Sequence, residues 1–181
     1  KDNLSRVKKA ANHLLSLITD VIDISKIESG RVDSVVQSFS LNSLIAEAID
    51  SLRTQIQEKG MEIKVPEAPD ITMCTDRRRL LQCLINYISN AVKYSEKGKI
   101  TIGILHTNEE VELSVTDTGI GIAPEDLPKL FEAFERVKSH LMVKAGGTGL
   151  GLYLTKKLVT EILHGTVSVE SEKDVGSTFR I

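Results

Sequence analysis

Leu81-Gln82-Cys83-Leu84-Ile85-Asn86-Tyr87-Ile88-Ser89-Asn90-Ala91-Val92-Lys93-Tyr94 reads as a helix with two faces of different purpose. At 100° per residue, Leu81, Leu84, Ile85, Ile88, Ala91 and Val92 gather on one side as a core stripe. Asn86, Asn90 and Lys93 fall within about 60° of one another on the opposite side. A polar face is ordinary on an amphipathic helix. Asn, however, is a mediocre helix former, and two of them at i and i+4 in mid-helix call for a reason. An amide oxygen is a hard ligand suited to Mg²⁺, and a nearby ammonium suits phosphate. Thr75 or Asp76 can open this helix, and it runs to about Tyr94.

Downstream, Lys99 to His106 and Val111 to Thr116 have the spacing of an antiparallel hairpin, joined by Thr107-Asn108-Glu109. Val111, Leu113 and Val115 share a face by period two, so Asp117 should point to the same inner side. A carboxylate aimed under a helix layer is costly unless something bonds it. A purine amino group or a water is a suitable partner, although an Asx turn at the strand end explains it too. Thr118-Gly119-Ile120-Gly121-Ile122 then turns the chain sharply. Pro124 starts a short helix to about Phe134. A Gly-rich segment, Gly146-Gly147-Thr148-Gly149-Leu150-Gly151-Leu152, leads into a last helix over 149–163, and strands over 165–171 and 177–181 close the chain. The glycines let backbone N–H groups approach an anion at a helix start. This is not a Walker loop, because no Gly-Lys-Ser/Thr follows, and the strand context of a dinucleotide-binding fold is absent.

Upstream, Leu41, Leu44, Ile45, Ala48, Ile49, Leu52 and Ile56 form the stripe of a second helix capped by Ser40 or Asn42 and closed by Gly60. Short strands are expected at 35–39, 61–65 and 71–73. The first stretch differs from all of these. Leu4, Val7, Ala11, Leu14, Ile18, Val21 and Ser25 alternate in steps of three and four, a heptad seam. Leu15, Leu17, Ile22 and Ile24 add apolar positions, which suits a helix within a four-helix bundle. Ser29-Gly30 ends it. The fold class is therefore α+β: a two-layer sandwich with a mixed sheet covered by helices on one face, preceded by a long helix with a heptad seam.

Composition narrows the function. The chain has 181 residues, 41% apolar and 27% charged, with 4% aromatics and no Trp, so its core rests on Leu, Ile and Val. A formal charge of −2 gives no electrostatic case for nucleic acid or anionic membrane. Cys74 and Cys83 lack metal-ligand spacing and read as two buried free thiols in a reducing, cytoplasmic setting. No apolar run approaches the roughly 18 residues of a membrane span. A start at Lys1 and an end at Phe179-Arg180-Ile181 suggest an excerpt from a longer protein, one that could be membrane-anchored elsewhere.

These segments together resemble the histidine kinases of two-component systems. Asp76, Arg79, Leu80, Gln82, Leu84, Asn86 and Asn90-Ala91 resemble the N box, and Asp117 to Ile122 the first glycine box. Phe131-Glu132-Ala133-Phe134-Glu135-Arg136 resembles the F box, Gly147 to Leu152 the second glycine box, and Gly176-Ser177-Thr178 the usual close of the domain. Residues 10–30 resemble the second helix of the dimerisation and phosphotransfer module. The resemblance implies three parts: 1–30, that helix, its first partner lying outside this chain; 31–40, linker and first strand; and 41–181, the ATP-binding catalytic domain. It implies that Asn90 ligates Mg²⁺, that Asn86 and Lys93 face the phosphates, and that Tyr94 lines the nucleotide pocket. Asp117 would bond the adenine amino group, with Gly119 and Gly121 giving the base room. Arg136 would reach the phosphates from a lid over roughly 135–148. Gly147, Thr148, Gly149, Leu150 and Gly151 would wrap the triphosphate.

The resemblance further implies Mg-ATP as the bound species, a homodimer through the N-terminal helix and a response-regulator receiver domain as partner. One departure matters: the phosphoacceptor His followed by an acidic residue is absent. His13 takes an outer heptad position, His106 a strand end, His140 the lid and His164 a helix end. The chain would then donate a phosphoryl group to a His outside itself. Two alternatives stand beside this: an ATP hydrolase of the same superfamily, which would need a Glu where this chain has Asn86, and a non-catalytic nucleotide-binding or dimerising module.

Overall fold

The computed structural model describes residues 2–67, 69–107, 110–135 and 148–181, without the side chains of 2–6, 8, 9, 12 and 13. The elements in order are α1 (Asp2–Glu28), β1 (Val36–Ser40), α2 (Leu41–Ser51), α3 (Arg53–Glu58), β2 (Glu62–Lys64), β3 (Thr72–Asp76) and α4 (Arg77–Tyr94). There follow β4 (Lys99–His106), β5 (Val111–Asp117), α5 (Gly151–Lys157), β6 (Ser168–Glu172) and β7 (Gly176–Arg180). The helix expected after Pro124 is only a 3₁₀ turn at Leu127–Lys129, and α5 continues as a π-helical turn over Leu158–Ile162.

Five strands form one mixed sheet in the order β2-β4-β5-β7-β6, with β2 parallel to β4 and the other pairs antiparallel. One face carries Ile100, Ile102, Leu113, Val115 and Phe179, all buried under α2, α3 and α4. The other face is half-exposed and hydroxyl-rich, and there Thr116 and Thr178 meet at 3.0 Å. This is the expected two-layer arrangement. The strands at 35–39 and 71–73 do not join that sheet. β1 and β3 pair with each other as a separate antiparallel ribbon, because β3 runs straight into α4 through Asp76. Asp76 caps α4 by accepting from Arg79 N at 3.0 Å, and its second oxygen accepts from Val35 N, also at 3.0 Å.

Burial on α4 is wider than the periodicity suggested. Leu80, Cys83 and Tyr87 are buried with Leu84, Ile88, Ala91 and Val92, whereas Leu81 and Ile85 are only half-buried. Tyr87 packs on Phe179 with ring centroids 5.2 Å apart. Cys83 is buried as expected, and burial pushes its thiol up to about 12. Cys74, expected to be buried, is exposed, because β3 belongs to the outlying ribbon. The single helix read over 41–59 is two, broken at Leu52 (φ −112°, ψ 4°).

The C-terminal part of α1 packs on the domain. Ile27 joins Cys83, Leu154, Leu158 and Val159 in a second apolar cluster. Asp23 Oδ2 lies 3.2 Å from Arg79 Nη1 and accepts from Gln82 Nε2 at 3.4 Å, and Tyr153 OH donates to Glu28 Oε1 at 3.0 Å. The seam itself stays open, with Leu14, Ile18 and Val21 exposed by 58%, 49% and 48%.

α4 ends against the lysine that follows α3. Lys59 Nζ donates to the carbonyls of Val92 (2.7 Å), Lys93 (3.1 Å) and Ser95 (2.8 Å). A cation there satisfies orphan carbonyls and complements the helix dipole. Lys59→Met should lower stability by about 1–3 kcal/mol, since three carbonyls lose a charged donor. A urea unfolding midpoint equal to wild type would show that water replaces the ammonium without cost.

Candidate functional site

The polar face of α4 opens onto a cavity of about 400 Å³. Asn86, Asn90, Lys93 and Tyr94 line one wall, Thr148, Gly149, Gly151 and Thr155 another, and Asp117 and Gly121 lie at the sheet end. The structure therefore brings together nine of the residues singled out from sequence. Gly119 packs behind Asp117 without lining the space, and Leu150 is buried away from it at 1% exposure. Arg136 and Gly147 lie outside the described residues, as do His140 and most of the segment read as a lid.

Asp117 is the buried end of the site. As the period-two alternation of β5 requires, it follows Leu113 and Val115 into the interior and is 7% exposed. Oδ1 accepts from Gly119 N at 2.8 Å, and the Ser177 backbone N–H also donates to the carboxylate. Burial dominates nonetheless and raises this carboxyl to about 6 against those two bonds. Two glycines make the geometry possible. A Cβ on Gly119 would come within 2.7 Å of Asp117 Oδ1 and 2.5 Å of the Tyr94 carbonyl. Gly121, at φ +58°, would place a Cβ 1.9 Å from the Glu172 carbonyl oxygen. The turn is pinned further by Ile120 N to Tyr94 O (3.1 Å), Asp174 N to Ile120 O (2.8 Å) and Ile122 N to Ser171 Oγ (2.8 Å).

At the other end, Asn86 Nδ2 donates to Thr155 Oγ1 at 2.8 Å, tying α4 to α5. Its Oδ1 lies against Gly151, where a Cβ would come within 2.7 Å. Thr155 was not singled out from sequence. Its signal was its place four residues after Gly151, one helical turn along the same face. Ser177, paired with Asp117 in the β5–β7 register, was also missed, because strand partners cannot be read from one strand alone. Lys93 Nζ sits 5.3 Å from the centroid of the Tyr94 ring. Ser16 and Asp20 of α1 line the cavity as well.

The family model for the histidine kinase-, DNA gyrase B- and HSP90-like ATPases matches residues 75–181. The chain is 36% identical over 186 residues to the signal transduction histidine-protein kinase BarA of Escherichia coli (strain K12), an alignment covering 99% of this chain and 20% of BarA. It is 39% identical to hybrid signal transduction histidine kinase L of Dictyostelium discoideum over 97% of this chain and 11% of that protein. Full-length ShkA in complex with AMPPNP superposes with a TM-score of 0.85 at 29% identity, over 99% of this chain and 37% of ShkA. Histidine kinase ThkA in complex with the response regulator protein TrrA gives 0.74 at 28% identity, over 94% and 47%. The chain belongs to the histidine kinase-, DNA gyrase B- and HSP90-like ATPase family. Within it, this is an ATP-binding catalytic domain of the histidine kinases of two-component signalling, spanning a fifth or less of the two curated relatives named.

Proposed function

We propose that this domain holds Mg-ATP in the cavity between α4 and α5 and passes the γ-phosphoryl to a histidine outside this chain, for relay to a response regulator. The observation that carries the reading is that Asn86, Asn90 and Lys93 line a single cavity together with the buried Asp117. The adenine amino group would donate to Asp117, whose buried carboxylate offers an acceptor already oriented by Gly119 N and Ser177 N. Tyr94 would flank the base, with Gly119 and Gly121 leaving it room. Lys93 and Asn86 would face the phosphates, Gly147, Thr148, Gly149, Leu150 and Gly151 would wrap them, and Arg136 would approach from the lid. These are positioning and charge-neutralising roles, which phosphoryl transfer chiefly needs.

The charged described residues lining the cavity are Asp20, Asp117 and Glu135 against Lys93, so a bare polyphosphate is poorly matched and a cation-loaded one suits it. Asn90 would hold Mg²⁺ through its amide oxygen, with Asn86 adjacent. The ion would offset charge on the phosphates. In the transfer, an imidazole nitrogen of the acceptor attacks the γ-phosphorus, the bond from the bridging oxygen to that phosphorus breaks, and ADP leaves with the electron pair. α1, with its open seam, would serve as the second helix of the dimerisation module (1–30), joined through 31–40 to the catalytic part (41–181). The ThkA–TrrA complex supports a receiver domain as the partner. No helix among the described residues is long and apolar enough to cross a membrane, which agrees with a cytoplasmic placement of this segment. Hydrolysis is disfavoured, because Asn86 is an amide, cannot act as a base, and is already bonded to Thr155.

With γ-labelled ATP, this chain should bind nucleotide yet stay unlabelled and release little phosphate, while a version extended upstream by the acceptor helix gains acid-labile label. Asp117→Asn should weaken ATP binding by about 10–100-fold with the fold retained, since donors replace an acceptor at a buried polar pair. Stoichiometric label on the short chain, steady phosphate release, or an Asp117→Asn affinity within twofold of wild type would each contradict the scheme.

A further inference from the structure

The cavity contains a carboxylate that the proposed chemistry does not use. Asp20 comes from α1, which reaches the cavity because its C-terminal part is docked through Ile27, the Asp23–Arg79 ion pair and Glu28. Asp23 lies against Gln82 of α4. One turn back along α1 is Asp20, and one turn forward along α4 from Gln82 are Ile85 and Asn86. All of these except Asp23 line the same cavity, with Ser89 and Asn90 beyond. Asp20 therefore enters on the side of the cavity formed by Gln82 and Asn86. Burial and the neighbouring Asp23 push its carboxyl above the usual range, so negative charge is already crowded on this wall. Asp23 is committed to Arg79 and Gln82, and no group of three His, Cys, Asp or Glu among the described residues could hold a cation with Asp20.

Building on the reading of the cavity as an ATP site, we infer that Asp20 makes docked α1 a discriminator of nucleotide charge. Its carboxylate opposes the phosphates, ATP more than ADP, and leaves the nucleoside unaffected. Coupling between two binding events is reciprocal. ATP must therefore loosen the docking of α1 by the factor by which docked α1 weakens ATP. The γ-phosphate would in this way free the helix whose seam of Leu14, Ile18 and Val21 faces outward.

The test is calorimetric affinity for ATP, ADP and adenosine in wild type and Asp20→Asn, at fixed Mg²⁺ and low salt. Two charges roughly 8 Å apart at a partly exposed site correspond to an effect of about two- to tenfold. Asp20→Asn should bind ATP tighter by that factor, ADP by less and adenosine equally, with the gain shrinking as salt rises towards about 0.5 M. In wild type, ATP but not adenosine should speed amide exchange across residues 20–28. An equal change for all three ligands, no change, or weaker Mg-ATP binding in Asp20→Asn would overturn the inference, the last by making Asp20 a cation ligand. Failure of the folded wild type to bind ATP at all would sink the reading of the cavity itself, and this inference with it.

Discussion

A carboxylate buried at the end of β5 is the constraint around which the site is arranged. Asp117 sits inside because β5 alternates, and it stays ionisable because two backbone N–H groups are aimed at it. Its folded value of about 6, against 3.8 in the unfolded chain, opposes folding at neutral pH by roughly 3 kcal/mol. Because the folded value is raised, protonation favours the folded state. That benefit is complete below 3.8 and is lost as pH rises through 6. A structure that keeps a charge this unfavourable at neutral pH must over-determine its surroundings. Here it does so with Gly119 against Asp117 Oδ1, Gly176 against the Asp117 carbonyl, and a turn bonded to both α4 and the β6–β7 hairpin.

The second requirement is a rigid wall facing that carboxylate. α4 supplies it by burying one side in the core and holding its last turn with Lys59. Tyr94 joins the two halves of the site: it lines the cavity while its carbonyl accepts from Ile120. At the far end, Asn86 reaches Thr155 only because Gly151 has no side chain. Core packing on α4 thus positions polar groups on its opposite face, and small local changes at glycines carry over to the cavity.

Much of this was legible in the amino-acid order. The two faces of α4, the inward Asp117 and the cap at Asp76 follow from helix and strand periods and from short-range capping chemistry. The glycines that would admit close approach were also visible, although only their neighbours in space show which contact each one permits. Long-range pairings were not legible. Nothing local distinguishes β3 as the partner of β1 from β3 as a strand of the main sheet, and the exposure of Cys74 follows from that choice. The cap by Lys59 depends on an element more than thirty residues away. The heptad seam was visible as a pattern, but it says nothing of the other side of α1, where Asp20, Asp23 and Ile27 meet the domain.

The most direct test of the account is a carbon-detected NMR titration of the Asp117 carboxyl with and without adenosine. The account predicts a midpoint near 6 in the free protein. It predicts a lower midpoint with adenosine bound, because an amino donor favours the ionised form, and adenosine affinity that rises with pH through that range. A midpoint that adenosine leaves unmoved, with affinity independent of pH, would contradict the assignment of Asp117 as the group that holds the base.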